Sequence, residues 1–130
     1  MGCDIHAHVE VKIDGIWEHW GQPNAVRWYA LFEKMAGVRG EVKNAIAPPR
    51  GIPADVSKLT NLHYLYWGSD AHSASWLNRH ELEELGKWIT DNSSQHYRCL
   101  GTEFGWFFGN DITELRPEFE DVRLVFWFDN

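Results

Sequence analysis

The chain has 130 residues, with nineteen Asp and Glu against twelve Lys and Arg for a formal charge of −7, and aromatic residues make up 15% of it. That length is one ordinary domain, 1–130, long enough to bury a core and too short for a barrel of roughly 250 residues. The negative balance, with Arg and Lys spread along the chain, argues against polymeric nucleic acid; no apolar run approaches the roughly 20 residues of a membrane span; and two cysteines without a basic-then-apolar leader point to the reducing cytosol.

The opening MGCDIHAHVEV alternates. Extended, it puts Cys3, Ile5, Ala7, Val9 and Val11 on one side and Asp4, His6, His8 and Glu10 on the other. Asp14-Gly15 between two alternating runs is a strong hairpin signal and pairs residues 3–13 with 16–20 antiparallel. Asn24 is placed to cap a helix over 26–36, whose Trp28, Leu31, Phe32 and Met35 have helical spacing and which Gly37 stops. The stretch from Ala47 to Pro53 carries three prolines in seven residues, so it reads as a stiff loop that holds Arg50 in a defined place. Asp55 or Ser57 caps a second helix, where Val56, Leu59, Leu62 and Tyr66 fit one helical face and Gly68 ends the run.

A polar link, 69–75, precedes Asn78, which with Glu81 three residues later makes a capping-box pattern and predicts a third helix over 79–89. Residues 90–110 have no clean period and read as an irregular aromatic loop with one short strand. At the C-terminus Val122, Leu124, Phe126 and Phe128 share a face opposite Arg123, Val125, Trp127 and Asp129, as in a central strand beside the first. The sum is an α+β fold: an antiparallel sheet formed by the N-terminal hairpin and the C-terminal strand, with two or three helices packed on one face.

Three sets of residues could carry chemistry. In Asp4-x-His6-x-His8-x-Glu10, alternate strand positions stand about 7 Å apart, and imidazole with carboxylate is a competent set for zinc, manganese or iron. The competing reading is a solvated strand face. Asp70-x-His72-Ser73-x-Ser75 precedes a helix N-terminus, a place suited to an anion or a metal-bound water, or else to local capping. If the two motifs meet, Asp4, His6, Asp70 and His72, with Glu10, are the metal candidates of a hydrolytic site.

The third set is Arg27, Arg39, Arg50 and Arg123, each beside an aromatic residue or in a Gly/Pro turn. Guanidinium forks bind phosphate, and neighbouring rings stack on a base, although single arginines more often pair with a surface acid. Together these readings give a pocket for a small nucleotide-like ligand lined by Arg27, Tyr29, Arg50, Trp67, Asp70, His72, Ser73 and Trp76. Cys3 and Cys99 lack a Cys-x-x-Cys partner pattern and read as small buried residues.

The opening MGCDIH, Arg27-x-Tyr29-x-Leu31-Phe32, Pro49-Arg50-Gly51-Ile52-Pro53, the run from Asp70 to Leu77 and the closing RLVFWFDN span most of the chain. They resemble a family of short bacteriophage and prophage proteins whose shared motifs name no activity. In such proteins position 8 is expected to vary and often to be aromatic, unlike His8 here. The resemblance implies a phage accessory protein acting in the host cytosol, and by context an anti-defence role in which a host immune nucleotide signal is sequestered. Two other readings stand beside it: a metal-dependent phosphoesterase built on the Asp/His cluster, and an adaptor docking on a host protein through exposed Trp and Phe.

Overall fold

The computed structural model describes residues 2–23, 27–96 and 118–130, and of 93–96 the backbone alone. Asp14 (φ 50°) and Gly15 (φ 78°) supply the two positive-φ residues of a tight hairpin turn, so strand β1 (Asp4–Ile13) folds back on β2 (Ile16–Gly21) with Ile13 opposite Ile16. The C-terminal strand β4 (Asp121–Asp129) lies on the other side of β1, antiparallel, with Asp4 opposite Asp129, His6 opposite Trp127 and Glu10 opposite Arg123.

The sheet has four strands in the order β2-β1-β4-β3. Its outer member β3 (His72–Asn78) covers most of the stretch whose composition reads as a polar link. Ser, Asn and Ala have low strand propensity, and here the ladder with apolar β4 overrides that preference. The strand is irregular where the composition is most polar: its register breaks between His72 and Ser75, and Ser73 takes φ 54°.

Helix α1 (Tyr29–Ala36) starts three residues later than its periodicity predicts and is stopped by Gly37 in the left-handed region at φ 78°. Asn24, the expected cap, lies outside the described residues, and Trp28 occupies the N-cap position. Helix α3 (Arg79–His96) opens with the expected capping box: the Glu81 N–H donates to Asn78 Oδ1 at 2.9 Å and the Asn78 N–H to Glu81 Oε1 at 3.0 Å. It runs seven residues past its predicted end at 89, taking the start of the expected aromatic loop; residues 97–110 of that loop lie outside the described residues.

Leu31, Phe32 and Met35 of α1 and Leu82, Leu85 and Ile89 of α3 pack on the face of the sheet built from Ile5, Ala7, Val9, Val11, Val122, Leu124, Phe126 and Phe128. Helix α2 (Lys58–Trp67) lies on the opposite face, where His63, Tyr64 and Trp67 meet Trp127, His6 and His8. Two helices thus cover one face and a third covers the other, which makes the sheet the middle layer of three. Among the described residues no helix is long and apolar enough to cross a membrane.

Candidate functional site

Because α2 covers the second face, the alternate residues of β1 are not a solvated row. His8 is 2% exposed and Glu10 fully buried. A buried carboxylate is tolerated only when it is paired and hydrogen-bonded. Glu10 meets both conditions: Oε1 accepts from Arg123 Nε (2.9 Å) and Nη2 (2.7 Å), and Oε2 accepts from the Ser57 N–H at 2.9 Å. Arg123 also donates to Asp55 at 2.9 Å and lies 4.0 Å over the Trp17 ring, and its hydrogen bond holds the Asp55 carboxyl below the usual range. This ion pair therefore anchors the start of α2 to the sheet.

The middle of α2 is held by a chain of imidazoles. Trp67 Nε1, which can only donate, lies 3.1 Å from His63 Nε2. His63 therefore accepts there, and as a neutral ring carries its proton on Nδ1, 2.6 Å from His8 Nε2. His8 accepts in turn and donates from Nδ1 to His19 Nε2 at 2.9 Å. One indole thus sets the tautomer of three histidines. A proton added to His8 or His63 would set two donors face to face. Burial opposes that charge as well, pushing His8 down to about 3 with help from the neighbouring His63 and His19. Burial also lowers His19 and His63, with Glu10 partly offsetting the effect at His19.

The third group sits where β1 begins and β4 ends. His6 Nε2 lies 2.8 Å from Asp129 Oδ2, and the Trp67 ring covers the His6 ring at 4.2 Å and 35°. Asp4 accepts from Arg27 Nε at 2.6 Å and Nη2 at 3.1 Å; Arg27 holds its carboxyl below the usual range, and both side chains are about half exposed (48% and 54%). The Tyr29 hydroxyl accepts from the Cys3 N–H at 3.1 Å and its ring carries Arg39 at 5.0 Å. Across the sheet end, His72 bonds Ser73 Oγ (3.0 Å) and Asn130 Oδ1 (3.1 Å). Aromatic faces, carboxylates, imidazoles and guanidinium groups thus stand at one end of the sheet, with His6, Asp129 and Trp67 on the α2 face and Tyr29 and His72, whose ring stacks on Phe128 at 6.2 Å, on the other.

Of the residues expected to bind a ligand, Arg27, Tyr29, Trp67, His72 and Ser73 gather at this end, and exposed Asp70 lies in the 3₁₀ turn (Gly68–Asp70) that leads into β3. Arg50 and Trp76 stand apart, because Trp76 is opposite Val125, three residues along β4 from the partner of His72. Arg50 lies over Trp76 at 4.6 Å and binds both oxygens of Glu81 at 2.7 and 2.6 Å. Of the metal candidates, Asp4, His6, Glu10 and His72 are each bonded to a different protein partner, and among the described residues no three His, Cys, Asp or Glu side chains are grouped to hold an ion.

The sequence places Trp127 and Asp129 on this face of β4, as found, but does not pick out His63 and His19. The signal for His63 lies in the helix: His63 and Trp67 are spaced i, i+4, a spacing that puts two rings on one face. The leucine stripe of α2 drew attention to the other side. Comparison with family models, curated proteins and solved structures returns no match for the chain.

Proposed function

We propose that the protein binds a small nucleotide-like ligand at the end of the sheet formed by the start of β1 and the end of β4. The observation that carries this reading is the gathering there of a ring for stacking (Trp67 over His6), an exposed guanidinium (Arg27) and carboxylates for a sugar or base (Asp4, Asp129), with His72 and the Ser73 it bonds across the same sheet end on the Phe128 side. The Arg27–Asp4 pair is half exposed and exchangeable, so an incoming phosphate competes only with a solvent-screened partner. Arg50, held by Glu81 and Trp76, is not part of the proposed site. The hydrolase alternative is served less well, since Glu10 is buried against Arg123 and His6 is bonded to Asp129. Sequestration of a host nucleotide signal follows from the resemblance to phage proteins.

The test is calorimetric titration of the whole chain with a panel of nucleoside monophosphates, diphosphates and cyclic dinucleotides. At least one should bind with a micromolar dissociation constant, and Arg27→Ala should weaken it about tenfold or more, the scale of one charge-assisted hydrogen bond. No binding below about 1 mM across the panel, or an unchanged constant in both Arg27→Ala and Trp67→Ala, would reject the proposal.

A further inference from the structure

The face of α2 that reads as its core stripe is turned to solvent. Leu59 is 56% exposed, Leu62 55%, Leu65 61% and Tyr66 82%, whereas Thr60 is fully buried. Leu59, Leu62 and Tyr66 follow an i, i+3, i+7 spacing with Leu65 beside them, the pattern of a helix that packs on another helix. The face also lacks the charges that usually keep apolar helices apart. In a chain of formal charge −7 there is no Asp or Glu from Val56 to Ser69, so this is where two copies approach with least repulsion.

Its two ends carry opposite charges: exposed Lys58 on the first residue of α2 and exposed Asp70 three residues past its last. An antiparallel second copy sets Lys58 of each chain against Asp70 of the other and interleaves Leu62 with the other chain's Leu65 and Tyr66. A parallel copy would oppose Lys58 to Lys58 and Asp70 to Asp70. The four side chains on each copy amount to on the order of 1,000 Å² buried between the two, the lower end of a specific interface.

We infer that the protein forms a twofold-symmetric homodimer through antiparallel packing of α2, with Leu59, Leu62, Leu65 and Tyr66 at its centre and Lys58–Asp70 pairs at its rims. The interface is separate from the ligand reading, although it brings the two sheet ends, through Trp67 and Asp70, to either side of one axis.

Sedimentation equilibrium of the whole chain, from micromolar to several hundred micromolar, decides the matter. The expected mass is twice the 15.1 kDa of one chain. Leu62→Glu should return a folded monomer, with the dissociation constant weakened about 100-fold or more by a charge in the seam. Lys58→Glu should weaken the dimer about tenfold and Lys58→Glu with Asp70→Lys restore it, since both positions are exposed and like charges across a rim repel. A monomer throughout the concentration range would overturn the proposal, including one in which α2 is protected from hydrogen exchange by another part of its own chain. A dimer indifferent to Leu62→Glu would overturn it too, and failure of the charge exchange to rescue would overturn the antiparallel arrangement.

Discussion

The two faces of the central sheet are both buried, and they are buried by different physics. Under α1 and α3 the contacts are Phe, Leu, Ile, Val and Met, fully or almost fully inaccessible, with no charge among them. Under α2 the same strands present Glu10, His8, His6, Arg123, Trp127 and Asp129, and the helix answers with Ser57, Thr60, His63 and Trp67. Dispersion and water exclusion are non-directional, so the first face tolerates modest repacking. Hydrogen bonds and ion pairs are directional and costly to leave half made, so the second holds α2 in one place only while every partner stays in its protonation state.

The sharpest way to break this contrast is to cut each face once. Arg123→Ala strips buried Glu10 of its partner and should cost about 3–5 kcal/mol, while Phe126→Ala opens a cavity on the other face at a similar cost of about 3–5 kcal/mol. The difference lies in rescue. Replacing both members of the ion pair, Arg123→Met with Glu10→Leu, should return to within about 2 kcal/mol of the parent, the remainder being the unpaired Ser57 N–H. No second change on the apolar face removes the loss except one that refills the space. Urea unfolding followed by tryptophan fluorescence measures all three, and a double variant no better than Arg123→Ala would erase the distinction.

Acid separates the faces next. His8 is held neutral in the folded chain down to about 3, whereas the unfolded chain takes up that proton near 6.5. Below 6.5 the unfolded state therefore binds more protons, and stability present at neutral pH is lost as pH falls toward 3, at about 1.4 kcal/mol per pH unit for this one group. His19 and His63, also lowered, add to the slope. The carboxylates lowered by their partners, Asp4, Asp55, Glu33 and Glu81, contribute only as pH falls through about 4.5 and below, so the window from pH 6.5 to 5 reports the imidazole chain. His8→Phe should lower stability at pH 7.5 and flatten the curve in that window; an equally steep curve in the variant would exclude His8 as its source.

The smallest expected effect lies on neither face. Asn78→Ala removes the side-chain acceptor of the α3 capping box and should cost about 1 kcal/mol, with no change between pH 5 and 6.5. A pH-dependent loss there would mean that the two faces are coupled through β3.

Much of this architecture was legible from residue types alone. The alternation of β1 and β4, the Asp14-Gly15 turn, the Gly37 stop and the Asn78–Glu81 box are local rules satisfied by neighbours in the chain. Prediction failed where a partner distant in sequence outweighed local preference. Strand β3 forms from a polar run because β4 offers it a ladder, and α2 presents to the sheet the side that a hydrophobicity argument would turn outward.

The sequence by itself determined the pairing of the β1–β2 hairpin, the apolar face of β1 and β4 and one end each of α1 and α3, because backbone sterics and side-chain periodicity act over a few residues. Only the tertiary structure decided that His8, fifty-five residues from His63, would meet it at 2.6 Å, that Glu10 would hold Arg123 across 113 residues of chain, and that Arg27 rather than Arg50 would stand at the sheet end. Those pairings depend on how a helix crosses a sheet, and nothing in the spacing of residues along one chain encodes which face of α2 finds enough hydrogen-bond partners to stay buried.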